Sequence, residues 1–278
     1  MENMLRRWRG QNQHETQPLD HDQMIKDLRI AIGPLSGHAK KFCTDACLKR
    51  YLEARNWNFE KAKKMLEETL KWRSNYKPEE IRWDEVAHEG ETGKISRANF
   101  VDRFGRPVLI MRPGKQNTIT GDGNVRHLIY LVENAILNLP EGQDQMTWLI
   151  DFTGYSMSAS NIKVKTSRDI VSALQNHYPE RLATFVLYNP PKIFQALFKV
   201  VSYFIDPKTY LKIKFVYPND KASIEIMKSC FDTENLPSEF GGKATSLNLN
   251  YDHQEFSKLM LEDDIKTAKF WDSESTLA

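Results

Sequence analysis

Residues 146–152 read MTWLIDF. Apolar residues fill all but two positions, and the run is too short for an ordinary helix. It reads as a strand buried on both faces. ATFVLYN at 183–189 reads the same way, and KFVY at 214–217 gives a further strand. Helical patterns separate these strands. Asn124 is placed to cap a long helix through Leu139, with Leu128, Leu131, Val132, Ala135 and Ile136 on its apolar stripe. Residues 167–178 read as helix, and Asn219 is placed to cap another that ends near Ser229. Strand and helix alternate, which predicts an α/β fold: a mixed, largely parallel sheet flanked by helices.

Working back from this core, residues 94–101 and 107–111 read as strands, with the turn at Asp102–Gly105. Before Gly90 the texture is helical. Asp20 and Gln23 form a capping-box pattern, with Leu19 and Met24 as its staple, and that helix should stop near Gly33-Pro34. A second helix runs from about Thr44 to Arg55. Asn58 caps a third, which carries Phe59, Ala62, Leu66 and Leu70 on one side. Pro78 starts one more short helix. The expected division is a flexible arm at 1–18, a helical domain at 19–90, the sheet domain at 91–246, and a C-terminal extension at 247–278.

Composition narrows the classes. Of the 278 residues, 40% are hydrophobic and 27% charged, a balance that suits a globular chain with a real core. The net charge of +2 is too small for a dedicated nucleic-acid binder. Three cysteines, Cys43, Cys47 and Cys230, do not suit a disulfide scaffold and read as reduced, buried or half-buried thiols. No stretch has the length of a membrane span, and MENMLRRWRGQ at the start lacks the apolar core of a secretory signal. Its Arg6, Arg7 and Arg9 around Trp8 suit either a solvated tail or weak docking to anionic lipid.

Several motifs fall short of chemistry. GETGK at 90–94 lacks the spacing of a phosphate loop and reads as a turn before a strand. GYSMS at 154–158 lacks the closing glycine of a nucleophile elbow and reads as an irregular loop, so Ser156 is a poor nucleophile candidate. The histidines have no metal-binding spacing, and Cys43 and Cys47 lack a second pair. His177, at a helix end, suits the helix dipole. No catalytic residue, cofactor or metal is expected.

One helix is unusual. PKIFQALFKVVSYFID at 191–206 keeps its polar positions, Lys192, Gln195, Lys199 and Ser202, on one narrow line. The rest of its surface is apolar: Ile193, Phe194, Leu197, Phe198, Val200, Val201, Tyr203 and Phe204. Such an arc needs two apolar partners. Either the helix is wedged between the sheet and another layer, or it is a mobile wall between an apolar cavity and lipid. Asp206-Pro207 then makes a sharp boundary at which a wall can hinge.

Taken together, CLKRYLEARNWNFEKAKKMLEETLKWR, DRFGRPV, MTWLIDFTG, NHYPERLATFVLYNPPKIF, FIDPKTYLKIKFV and NLPSEFGGK resemble, in order, the CRAL-TRIO lipid-binding family. The likeness covers about residues 20–245 and is to the phosphatidylinositol-transfer type of yeast and plants. It implies one lipid held with its chains in a deep apolar cavity, behind a helix that opens as a gate at the membrane. Ile193, Phe194, Leu197, Phe198, Val201 and Phe204 then belong to the gate, and Trp148 to the cavity. Matched to the family's motifs, Arg55, Glu180, Thr209 and Lys212 are the residues of the phosphatidylinositol headgroup site. Lys212 supplies a positive charge and Thr209 a hydroxyl for phosphate, while Glu180 accepts from inositol hydroxyls.

Two departures stand out. Asn56 follows Arg55 where the family often has lysine. Met146 and Trp148 stand where the yeast phosphatidylcholine site has serine and threonine, so that second lipid is not expected by the known route. The implied function is transfer or presentation of phosphatidylinositol between membranes by a monomeric, cytoplasmic protein that touches bilayers transiently. A second hydrophobic ligand and a lipid kinase are further partners this implies. A lipid-sensing adaptor, a carrier of another hydrophobic ligand and a serine hydrolase are the alternatives.

Overall fold

The computed structural model describes residues 20–156, 164–194, 207–245 and 251–273. The chain divides into two compact units after Lys64.

The first unit is helical. Helix α1 (His21–Ile32) starts at Asp20, whose carboxylate accepts from Gln23 N at 3.0 Å, and stops at Gly33, where φ is +80°. Glycine takes that conformation without the strain a side chain would bring. Helix α2 (Gly37–Phe42) was not expected from the sequence. Helix α3 (Asp45–Ala54) is capped by Thr44, which accepts from Cys47 N. Asn58 caps helix α4 (Phe59–Tyr76) through Lys61 N at 3.0 Å. Cys43 and Cys47 are buried and Cys230, in the second unit, is half-buried.

The second unit is built on a five-stranded sheet in the order β1 (Ile95–Val101), β2 (Pro107–Met111), β3 (Met146–Asp151), β4 (Leu182–Tyr188), β5 (Ile213–Val216). β1 runs antiparallel to β2, and every other neighbour pair is parallel. The expected fold class holds. Helix α5 (Trp83–Gly90) precedes the sheet, α6 (Gly121–Leu137) joins β2 to β3, and α7 (Val164–His177) joins β3 to β4. A six-residue helix, α8 (Pro207–Lys212), feeds directly into β5. Helix α9 (Lys221–Cys230) follows, and α10 (His253–Asp272) ends the described chain.

Alternating side chains divide the sheet residues between two cores. Leu109, Met146, Trp148, Ile150 and Leu187 meet α5, α6 and α10 through Trp83, Leu128, Leu131, Val132, Phe256 and Met260. On the other face, Val108, Ile110, Leu149, Val186 and Val216 meet Met227, Phe231 and Phe240. Packing on the first face loosens toward β5. Leu109 and Ile150 are 0% and 5% exposed, whereas Leu182, Phe185, Ile213 and Phe215 are only half-buried.

Two expected caps are displaced. Helix α6 begins at Gly121, three residues before Asn124, because the Asn124 side chain is engaged elsewhere. Its amide donates to Thr120 O, and its carbonyl accepts from Lys94 and Gln116. Asp220, not Asn219, caps α9, because its carboxylate reaches both the amide and the hydroxyl of Ser223. Gly90–Lys94 is a turn into β1, and Lys94 is buried against Glu89, Thr118 and Asn124. Burial lowers the Lys94 pKa, although Glu89 opposes the shift. No helix among the described residues is long and apolar enough to cross a membrane.

Candidate functional site

Strands β4 and β5 run parallel with Phe185 opposite Ile213. Their starting ends therefore lie side by side. Glu180 stands two residues before β4, and Lys212 is the last residue before β5. The topology brings them together: Lys212 Nζ lies 3.3 Å from Glu180 Oε2, with the two side chains 21% and 23% exposed. Thr209 lies three residues before Lys212 on α8 and is half-buried as well. One helix turn separates them, so they share a side.

Glu180 is held from its backbone. Its φ is +55°, a left-handed conformation that costs a non-glycine residue on the order of 1–2 kcal/mol. Flanking bonds hold it there. Gln145 Nε2 donates to Glu180 O at 3.2 Å, Arg181 Nη1 donates to Asp144 O at 2.8 Å, and Met146 N donates to Arg181 O.

A buried ionic network supports the same loop from behind, and the sequence reading missed it. Arg73 on α4 reaches Glu133 on α6 at 2.7 Å and Glu79 at 2.9 Å. Tyr178 then donates to Glu133 at 2.7 Å. Burial alone would lower the Arg73 pKa, but Glu133 outweighs it and holds the guanidinium above its ordinary value. Burial would likewise raise the Glu133 pKa, and Arg73 more than reverses this, so Glu133 stays ionised. Tyr178 is two residues from Glu180, so the network fixes where the loop leaves α7. The KWR and YPER segments held these residues in plain view. Their pairing is not a local spacing, and no pattern within either segment exposes it.

His177 lies flat on Trp72, with centroids 4.2 Å apart, and its Nδ1 is 3.1 Å from the Thr69 hydroxyl. Burial, with Arg73 nearby, lowers its pKa to about 4. It is neutral near pH 7 and does not serve the helix dipole as a cation. His177, Trp72, Tyr76, Val125, Ile129, Asp169, Ser172 and Ala173 line a cleft of about 230 Å³.

The remaining predicted residues are distributed as follows. Trp148 is 6% exposed on the first sheet face and stacks on Phe185 at 6.2 Å. Met146 shares that face and is 1% exposed. Residues 192–194 are helical. Ile193 is 51% exposed, while Phe194 packs on Phe152 and Tyr155 at 4.9 and 6.3 Å. Leu197, Phe198, Val201 and Phe204 lie outside the described residues, as do the Arg6–Arg9 segment and Asp206. Arg55 belongs to the other compact unit, at the end of α3, where its Nη1 donates to Ala54 O at 3.1 Å. Ser156 is exposed, and residues 152–156 are turn and coil; the residues that follow it lie outside the described ones. Among the described residues, no group of three or more His, Cys, Asp or Glu side chains is placed to hold a metal ion.

The arrangement offers a hydroxyl, a cation and a carboxylate at the edge of a loosely packed apolar face. Known proteins share this architecture. The CRAL/TRIO domain matches residues 91–242, and the CRAL/TRIO N-terminal domain matches residues 32–68. A CRAL-TRIO domain-containing protein of Schizosaccharomyces pombe is 35% identical over 79% of this chain, which spans 20% of that protein's length. The phosphatidylinositol transfer protein PDR17 of Saccharomyces cerevisiae is 32% identical over 85% of this chain and 68% of its own. The SEC14 cytosolic factor of Candida glabrata is 30% identical over 74% of this chain and 72% of its own. The crystal structure of Sfh5 superimposes with a TM-score of 0.62 over 88% of this chain and 97% of that one, at 19% identity, a likeness of fold. The chain belongs to the CRAL-TRIO family of lipid-binding proteins.

Proposed function

We propose that this protein binds phosphatidylinositol in a gated apolar cavity and transfers or presents it between membranes. The observation that carries this reading is the pairing of Lys212 with Glu180 at 3.3 Å, with Thr209 on the same short helix. A phosphodiester needs a cation and donors, and a ring of hydroxyls also needs an acceptor. Lys212 and Glu180 face each other with opposite charges. An incoming headgroup would take phosphate to Lys212 and Thr209 and hydroxyls to Glu180. Arg55 is the fourth proposed headgroup residue, on its match to the family's motif. Relatives named as phosphatidylinositol transfer proteins support this cargo.

The half-buried Leu182, Phe185, Ile213 and Phe215 suit the wall of the chain-binding space, with Trp148 behind them. Sheltering is the physical need. At ~0.8 kcal/mol per CH₂, an acyl chain of about 16 carbons represents roughly 12 kcal/mol of gross transfer from water. An open groove is insufficient, so the wall must close in water and open only at a bilayer. The segment read from the sequence as a helix over 191–205 is the proposed gate, with Phe194 at its root. The protein acts as a monomer in the cytoplasm and touches bilayers transiently. A lipid kinase is the proposed receiver of presented lipid, and Trp148 shapes the space for any second hydrophobic ligand.

Native mass spectrometry after incubation with mixed membranes tests the cargo. A retained inositol phospholipid is expected, and Lys212→Ala and Thr209→Ala should each lose it selectively. Unchanged retention in both variants would refute the headgroup assignment.

A further inference from the structure

Glu180, the proposed acceptor for inositol hydroxyls, is fixed in the chain from two directions. Downstream, Gln145 and Arg181 tie its loop to the residues that lead into β3. Upstream, the anchor is Tyr178, which is 7% exposed. Its hydroxyl donates to Glu133 Oε1 at 2.7 Å. Glu133 is itself gripped as a fork: Arg73 Nη1 donates to Oε1 at 2.7 Å and Nη2 to Oε2 at 3.2 Å. A bidentate pair fixes direction as well as distance. The Thr69 hydroxyl adds a second tie, donating to Asn176 O at 3.1 Å.

The link from anchor to acceptor is short and stiff. Only Pro179 stands between them, and its ring locks φ at about −65°. Glu180 follows in the left-handed region at φ +55°. With so few free torsions, a shift of Tyr178 is passed on to the Glu180 carboxylate. Charge balance does not require the tyrosine, because Arg73 already supplies Glu133 with a cation. Nor does packing require the hydroxyl: the ring meets Trp72 edge-on at 6.0 Å, a contact phenylalanine would keep. What the hydroxyl adds is direction. Thr209 and Lys212 are carried by α8, a separate segment, so the anchor bears first on the hydroxyl acceptor.

We infer that Tyr178 is a positioning residue for headgroup specificity: bonded to the Arg73–Glu133 pair, its hydroxyl holds Glu180 where that carboxylate accepts from a ring of hydroxyls. This rests on the phosphatidylinositol reading and deepens it. Preference for the inositol ring is then set behind the loop, where α4, α6 and the end of α7 meet, as well as at the carboxylate itself.

The test offers the full chain mixed micelles with equal amounts of phosphatidylinositol and phosphatidic acid, and native mass spectrometry reads the ratio retained. Phosphatidic acid has the phosphate without the ring, so the ratio reports the hydroxyl acceptor. Tyr178→Phe should lower the ratio about fivefold, the scale of one hydrogen bond. Glu180→Gln should lower it at least as far. The double variant should fall no lower than Glu180→Gln alone, because Tyr178 acts through that carboxylate. A merely structural loss would persist in both backgrounds. Glu133→Gln, which breaks the fork and spares the tyrosine, should act in the same direction, and it carries the test if Tyr178→Phe folds poorly. Met227→Ala, a core variant on the other sheet face, should lose stability and keep the parent's ratio. A parent-like ratio in folded Tyr178→Phe, or losses that multiply in the double variant, would overturn the inference while Glu180 keeps its assignment. A parent-like ratio in Glu180→Gln would instead sink the headgroup role of Glu180, and the positioning role with it.

Discussion

Lys212 Nζ meets Glu180 Oε2 at 3.3 Å, although 32 residues of chain separate them. The contact exists because β4 and β5 are parallel neighbours, so the residues leading into each strand arrive at one edge of the sheet. Both side chains keep about a fifth of their surface, so as a source of stability the pair is worth at most about 1 kcal/mol. Its proposed role is in binding the ligand. Lys212→Ala should weaken retention of phosphatidylinositol roughly tenfold or more, the scale of one charged hydrogen bond. The melting temperature should barely move, and native mass spectrometry with thermal melts reads both.

Glu180 sits at φ +55°, so function and stability pull apart there. Glu180→Gly should relieve the left-handed strain and raise stability by on the order of 0.5 kcal/mol, after glycine's own entropy loss. It should also weaken lipid retention. Glu180→Gln should weaken retention without the gain in stability. Urea unfolding and lipid retention, measured on both variants, separate the two effects.

His127 is fully buried, and neither ring nitrogen has a hydrogen-bond partner among the described residues. Burial, with Lys94 nearby, lowers its pKa from 6.5 to about 3. The unfolded chain therefore takes up a proton at a higher pH than the folded one. Stability from the neutral ring is complete above about pH 6.5 and falls as pH drops toward 3, by up to about 1.4 kcal/mol per unit. His127→Leu should flatten that part of the pH–stability curve. Melts taken between these limits check it, and an unchanged slope would assign the acid sensitivity to other groups.

Asp263 on α10 is 0% exposed and accepts from Arg97 at 2.5 Å, from Asn134 at 2.9 Å and from Asn138 at 3.2 Å. Removing it strands a largely buried guanidinium. Asp263→Ala should cost about 3–5 kcal/mol in urea unfolding. Leu261→Ala, two residues earlier on the same helix at 44% exposure, should cost little.

Trp148 and Met146 are core residues, and Trp148 is also a proposed wall residue. Trp148→Ala should destabilise by about 3–5 kcal/mol. In liposome assays the parent should exchange inositol lipid and little choline lipid, because neither side chain offers a hydroxyl. Efficient choline-lipid exchange would show that hydroxyls at these two positions are not required for that lipid.

Local physics made the elements legible. A continuous apolar run such as MTWLIDF leaves little choice but a buried strand, and Asp20, Thr44 and Asn58 each cap where their short polar side chains can reach an amide a few residues on. The misplaced caps show the limit. The Asn124 carbonyl is taken by Gln116, eight residues back, and by Lys94, thirty residues back, both outside the reach of a cap rule. The same holds for α10, whose modest apolar stripe gave no sign that Met260 and Asp263 fill the core.

By itself, the sequence determined the alternation of strands and helices, and hence the fold class, because side-chain periodicity acts over a few residues. Tertiary structure alone decided which charges meet: Lys212 with Glu180, Arg73 with Glu133 and Tyr178, Arg97 with Asp263. Such pairings depend on how strands order themselves in the sheet and on which groups lose water together. No stretch of chain a few residues long contains that information.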